Sequence, residues 1–251
     1  MTQRHTLAGA LALAALALGG CGSEAERRTF PVEMAAAPLQ GANERGWTVT
    51  LDSAHVSVGP VRFFEGRVLL TRRFDWYSLI GGTAHAHPGH YLPGDAMAEV
   101  LSTRTVSLLP GPTVLGDASA VTGEYGSLEL TLAPPTAATD AEGALGGHAV
   151  RLRGTARNAD GGTVRFDAVA DLPAPVAGVR FEKSLGQEPG RVRIAVDLGK
   201  WLGRIDFATA TDPDADGLYT LPAGSQAHNA LVRGMEDTTA YVVTWEEGAV
   251  P

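Results

Sequence analysis

Three histidines lie within six residues of the chain, at His85, His87 and His90. The whole sequence contains seven histidines, so residues 84–91 concentrate imidazole. In an extended segment His85 and His87 share one face, and the turn expected at residues 88–89 folds His90 back toward them. Neutral imidazoles around one point bind Cu, Zn, Ni or Fe, between which the pattern does not choose. The spacing therefore predicts a transition-metal site.

The fourth ligand of such a site stays open at this point. Nitrogen or oxygen ligands are available from five other residues, namely His55, His148, His228, Tyr91 and Asp95. Asp95 and Glu99 could also act as a general base beside a metal-bound water. Two further interpretations need no metal: a solvated surface loop, or proton chemistry by the imidazoles.

Two short motifs resemble those of the cupin family. Residues 82–87 are similar to its first metal motif, and residues 217–228 are similar to its second. The resemblance implies that His85, His87 and His228 are metal ligands. It also implies a β-barrel fold and the activity of a metal-dependent enzyme.

An acidic stretch opens with the pattern of a calcium loop. Asp212, Asp214 and Asp216 alternate with other residues, and Gly217 permits a sharp turn. Oxygen ligands at this spacing suit Ca²⁺, but position 12 of the loop is Ala223 where an EF-hand has a bidentate Glu. The stretch predicts either a calcium site or a plain Asx-type β-turn.

The first 21 residues predict secretion and lipidation. A polar start and an apolar run precede Leu18-Gly19-Gly20-Cys21, and this arrangement resembles the lipobox of bacterial lipoproteins. The resemblance implies cleavage after residue 20, acylation of Cys21, and an outer-membrane location because Gly rather than Asp follows the cysteine. Cys21 is the only cysteine, so no thiolate remains for a metal or a disulfide.

The charge of the chain limits its partners. There are 20 Lys and Arg against 28 Asp and Glu, for a formal net charge of −8. This balance argues against nucleic acid. The expected partners are the membrane, through the lipid anchor, a metal ion and, as a further candidate, another envelope protein facing the periplasm or the cell surface.

The rest of the chain predicts an all-β scaffold. Residues 21–45 are expected to be the acylated cysteine and a flexible linker, and residues 46–251 a single β-rich domain. Alternation breaks near Asp52-Ser53, which predicts a bulge. Residues 150–156 and 163–169 predict a hairpin, and residues 240–245 predict a C-terminal strand. About ten short strands separated by Gly- and Pro-rich turns indicate a β-sandwich or a jelly-roll-like barrel. No long segment with a period of 3.6 residues is present.

These patterns lead to three functional hypotheses. The first is a lipid-anchored protein that captures, stores or hands over a transition metal through His85, His87 and His90, with His55 or His228 as additional ligands. The second is a metal-dependent, cupin-like enzyme, and the third is an interaction or structural lipoprotein without metal. The chain contains no Gly-x-Ser-x-Gly, His-Glu-x-x-His or phosphate-loop motif, which leaves enzymatic activity undecided.

Overall fold

The computed structural model describes residues 25–67, 93–211 and 213–248. Twelve β-strands dominate these ranges. In chain order they are β1 Arg27–Ala36, β2 Trp47–Phe64, β3 Ala96–Val100, β4 Arg104–Ser107, β5 Thr113–Val121, β6 Gly123–Leu132, β7 Val150–Asn158, β8 Thr163–Ala170, β9 Val176–Leu185, β10 Gly190–Val196, β11 Tyr219–Thr220 and β12 Tyr241–Glu247. The fold is all-β and resembles a sandwich, as the sequence predicted.

β2 is the strand around which the sheet is built. Residues 47–56 pair with β7 and residues 55–58 pair with β4. The last residues, 61–64, pair with β3 on one side and β6 on the other. The register shifts between Leu51 and Ser53, which confirms the predicted bulge. Gly154 lies opposite this bulge, where a Cβ would collide with the backbone of Thr50 and Leu51. The bulge lets one strand serve two parts of the sheet.

The strand order leaves two edges facing each other. From β2 the sheet continues through β3, β5, β1, β10 and β12 in one direction, and through β6 to β9 in the other. β12 pairs only with β10, and β9 pairs only with β6, among the strands that the structure describes. Both strands line a groove between them. The sheet is therefore open along this groove.

The predicted β7–β8 hairpin is confirmed, with Val150 opposite Ala170 and Arg157 opposite Thr163. The expected C-terminal strand is confirmed as β12. The hairpin and the C-terminal strand could be predicted from the sequence because apolar and polar residues alternate in them. In a strand, alternate side chains point to opposite faces.

The predicted linker over residues 21–45 is wrong for residues 27–36, which form β1. This strand lies between β5 and β10 inside the sheet, and its alternate residues Phe30, Val32 and Met34 are buried. Pro31 argues against a central strand in the sequence, because proline has no backbone N–H to donate to a neighbouring strand. Pro31 itself precedes the pairing of β1 with β10, which begins at Val32, so only β5 pairs with the strand at this residue.

Two short helices were missed by the sequence analysis. α1 spans Leu198–Leu202 and α2 spans Gln226–Glu236, and the two pack against each other. The Ser225 side chain caps α2 by accepting the backbone N–H of His228 at 3.1 Å. Within the described ranges, no helix is long and apolar enough to cross a membrane.

Edge-to-face aromatic contacts fill the core beneath the groove. Phe30 has its ring centroid 5.7 Å from that of Phe63 and 5.5 Å from that of Trp245, and Phe63 lies 5.6 Å from Phe181. Tyr125 packs 6.0 Å from Phe181. These rings join β1, β2, β6, β9 and β12, so the two edge strands β9 and β12 are held to each other through the core and not by a shared ladder.

Candidate functional site

The segment that carries the histidine cluster is closed at its base. The N–H of Gly66 donates to the carbonyl of Pro93 at 2.7 Å, and the N–H of Glu65 donates to the carbonyl of Asp95 at 3.1 Å. The Ser127 hydroxyl donates to the Gly66 carbonyl at 2.5 Å. The predicted ligands His85, His87 and His90, together with Tyr91, lie outside the described residues. The structure thus describes the two ends of this segment, which follow β2 and precede β3.

Two glycines keep the base compact. A Cβ on Gly126 of β6 would lie 2.7 Å from the carbonyl carbon of Gly66, so any larger residue would push the base away from the sheet. Gly94 has φ +69°, in the left-handed region that favours glycine, and lies beside the N–H of Gly66. The base is therefore fixed by backbone packing on β6.

Acidic and basic side chains surround this base. An exposed ion pair joins Arg67 Nη2 to Glu124 Oε2 at 3.7 Å. Asp95 is exposed and belongs to the base itself, while Glu99 is half-buried in β3 opposite Arg62. Of the predicted oxygen ligands Tyr91 and Asp95, Asp95 is the one that falls among the described residues, and its backbone carbonyl is held by Glu65.

The other three histidines that the structure describes lie on separate elements. His55 is in β2, opposite Ser107 of β4 and Arg151 of β7, about 30 Å along the strand from the loop base. His148 Nδ1 lies 2.8 Å from Asp171 Oδ2, and His228 is in the first turn of α2. Across the described ranges, no group of three or more His, Cys, Asp or Glu residues could hold a metal ion.

The segment that resembles the second cupin motif forms a turn, the two-residue strand β11 and the start of α2. Its histidine, His228, is therefore on a helix. The Nδ1 of His228 is buried without a hydrogen-bond partner among the described atoms.

The acidic stretch forms an Asx-type turn in its described part. Asp214 Oδ1 accepts the N–H of Asp216 and the N–H of Leu218, each at 2.9 Å. Gly217 has φ +72°, as the sharp turn requires. Asp212 lies outside the described residues. The Oδ1 atom of Asp214 is thus already hydrogen-bonded to backbone N–H groups of its own turn.

A groove with a volume of about 680 Å³ lies between β9 and β12. Phe181 and Trp245 contribute aromatic surface to it, and Arg180 and Lys183 contribute positive charge. Thr238 and Thr239, in the 3₁₀ turn before β12, line one end. The sequence analysis missed these residues, since it gave no indication of which strands would be left at the sheet edges.

An arginine and a tyrosine support the groove from below. The Arg28 guanidinium lies 4.9 Å from the ring centroid of Trp245 and 5.5 Å from that of Phe30, within cation–π range. The Tyr125 hydroxyl donates to the Val121 carbonyl at 2.6 Å, and burial raises the pKa of Tyr125 to about 12. The Arg28 guanidinium and the Tyr125 ring thus both pack in the core next to the groove.

The chain matches no protein-family model, and no curated protein or solved structure is significantly similar to it.

Proposed function

We propose that this protein is a lipid-anchored protein of the cell envelope that binds a transition metal through His85, His87 and His90, for capture, storage or hand-over. One observation carries the proposal: three of the seven histidines occur within six residues, in the segment that joins β2 to β3. Concentrated neutral imidazole is the ligand set that Cu, Zn, Ni and Fe share.

The described residues support this proposal by the way they hold the segment. Metal sites need ligands presented from a rigid support. The hydrogen bond from Gly66 to Pro93 and the packing of Gly126 fix both ends of the segment on adjacent strands. Asp95, exposed at the same base, is the fourth ligand that we propose.

The proposed anchor would hold the domain close to the membrane. β1 begins at Arg27, so only residues 22–26 separate Cys21 from the sheet. Five extended residues reach at most about 18 Å. The metal site would therefore operate near the membrane surface rather than at the end of a long tether.

Metal content tests the proposal. The protein is produced without its leader and with Cys21→Ser, purified without an affinity tag or chelator, and measured by elemental mass spectrometry. We expect about one equivalent of a single transition metal. The variant His85→Ala/His87→Ala/His90→Ala is expected to lose it. A metal-free parent that also takes up no added metal would overturn the proposal.

A matched variant separates the cluster from the other imidazoles. His55→Ala/His148→Ala/His228→Ala removes the same number of histidines from β2, the loop before β7 and α2. We expect this variant to keep its metal. Loss of the metal on His228→Ala alone would instead favour the cupin-like enzyme.

A further inference from the structure

The loop at residues 133–148 leaves and re-enters the sheet at one place on β2. Leu132, the last residue of β6, lies opposite Val58, and the carbonyl of Ala149 accepts the N–H of Ser57 at 2.8 Å. A surface loop whose two ends lie this close together is an Ω-loop, a class of loop that frequently has a function. Residues 133–148 are called the Ω-loop below.

Part of the Ω-loop lies on the outer face of the sheet. Arg151 is on this face, because its neighbours in β7 point into the core. Its Nη1 donates to the carbonyl of Ala144 at 3.5 Å, and a Cβ on Gly146 would lie 3.2 Å from the same nitrogen. Leu145, between these two contacts, is fully buried but lies outside the main hydrophobic core. Its side chain therefore packs against the outer face.

Two hydroxyl groups are buried on this same face. Val56 and Val58 belong to the core, so the side chain of Ser57 points outward, yet Ser57 has 0% of its surface exposed. Thr105 of β4 lies directly opposite Ser57. The hydroxyl oxygens of both residues are buried and have no hydrogen-bond partner among the described atoms. A hydroxyl that leaves water without gaining a partner disfavours the state in which it is buried.

The Ω-loop has an internal clasp that holds Leu145 in place. Asp140 Oδ1 accepts the N–H of Ala144 at 2.9 Å, and Asp140 Oδ2 accepts the N–H of Leu145 at 3.0 Å. These bonds lie within the loop and do not depend on its contact with the sheet. The part of the loop that carries Leu145 can thus move as one unit. Burial of Leu145 favours the closed position, and the two hydroxyls without partners oppose it.

We propose that the Ω-loop is a lid, which opens and closes over Ser57 and Thr105 while the sheet stays folded. Opening returns both hydroxyls to water and withdraws Leu145 from the outer face. This proposal goes beyond the metal function and does not depend on it.

Amide hydrogen exchange of the Cys21→Ser protein tests the lid. The N–H of Leu145 belongs to the clasp, and that of Leu152 belongs to β7 in the sheet. We expect the protection factor of Leu145 to be at least about tenfold smaller than that of Leu152, and to be insensitive to low concentrations of urea. Equal protection of the two amides, with the same urea dependence, would mean that the loop opens only on global unfolding and would overturn the proposal.

Removal of the two hydroxyls tests what opposes closure. Ser57→Ala/Thr105→Val should favour the closed lid and raise the protection factor of Leu145 about tenfold. Ser107→Ala is the matched control, because this hydroxyl is on the same strand, β4, but donates to the carbonyl of Leu109. The control should bring no such rise. An unchanged or smaller protection factor in the double variant would overturn the proposal.

A thiol at the floor reports its exposure directly. In the Cys21→Ser protein, Ser57→Cys and Ala54→Cys each place a single thiol at a fully buried position of β2, the first on the outer face and the second on the core face. We expect a soluble aromatic disulfide reagent to label the Ser57→Cys protein at least about tenfold faster. Adding Leu145→Ala should speed this labelling further. Equal labelling of the two positions, or no effect of Leu145→Ala, would contradict a lid that opens over Ser57.

Discussion

Gly66 and Pro93 are joined by a backbone hydrogen bond of 2.7 Å across the base of the segment that carries the histidine cluster. The bond fixes where the chain leaves β2 and where it returns toward β3. Binding residues in proteins are commonly positioned by a rigid scaffold, and this bond ties both ends of the segment to adjacent strands. The Gly66–Pro93 hydrogen bond is therefore the described contact that connects the proposed metal-binding segment to the sheet.

The first prediction concerns the glycine on which the base rests. Gly126→Ala places a methyl group against the backbone of Glu65 and Gly66, and backbone cannot rotate away as a side chain can. We expect a loss of about 2–3 kcal/mol in the free energy of unfolding, as in an overpacked core. Urea denaturation measures it.

Gly111→Ala is the control for this change. Gly111 has φ +77° but open space around it, so alanine there bears only the conformational cost of about 1 kcal/mol. Equal losses in the two variants would show that the base is not tightly packed.

The second prediction concerns the pH dependence of stability. Burial raises the pKa of Asp167, but hydrogen bonds from Arg151 and Arg153 outweigh it, and the pKa lies below its usual range. A lowered pKa contributes stability above the unfolded value of about 3.9, and that stability is lost as the pH falls through the folded value. Asp167→Asn should cost about 1–2 kcal/mol at pH 7.

The difference between parent and Asp167→Asn should shrink as the pH is lowered below about 4. Chemical denaturation at pH 7 and pH 3 measures it. Glu182→Gln is the control, because its partner Arg180 is exposed and the pair is solvated. A loss for Asp167→Asn that is the same at both pH values would contradict the assignment to the arginine pair.

The third prediction separates a turn from a calcium site. Asp214→Ala removes the acceptor for the N–H groups of Asp216 and Leu218, and should lower stability by about 0.5–1 kcal/mol. Asp214→Asn keeps an acceptor oxygen and should stay close to the parent. Added Ca²⁺ should leave the Tm of all three proteins unchanged, measured by scanning calorimetry. A rise in the parent's Tm with Ca²⁺ would favour the calcium interpretation.

The sequence predicted the elements in which alternation is clean. The β7–β8 hairpin and β12 were recognised, and the bulge between Leu51 and Ser53 followed from the change of parity. β1 was missed because Pro31 interrupts its pattern, and α2 was missed because its apolar pattern covers only eleven residues. The alternation of apolar and polar residues predicts a strand reliably only where no residue in the same segment, such as a proline, interrupts it.

The groove could not be predicted in the same way. Whether Phe181 and Trp245 line an opening depends on which strands pair, and pairing joins residues that are far apart in sequence, such as Val192 with Trp245. The histidine cluster was visible from the sequence because its residues are neighbours in the chain. The packing of Gly126 against the backbone of Glu65 and Gly66 could not be predicted, because Gly126 lies on a different strand, β6.

The most direct test of the central claim is a competitive titration of the purified Cys21→Ser protein with Cu²⁺, Zn²⁺, Ni²⁺ and Fe²⁺, each against a chromophoric chelator. The account predicts one site per chain at pH 7.5. Its affinity should fall at pH 5.5, because protons displace the metal from imidazole. The site should be absent from His85→Ala/His87→Ala/His90→Ala. Failure to compete for any of the four metals, or equal affinity in the triple variant, would contradict it.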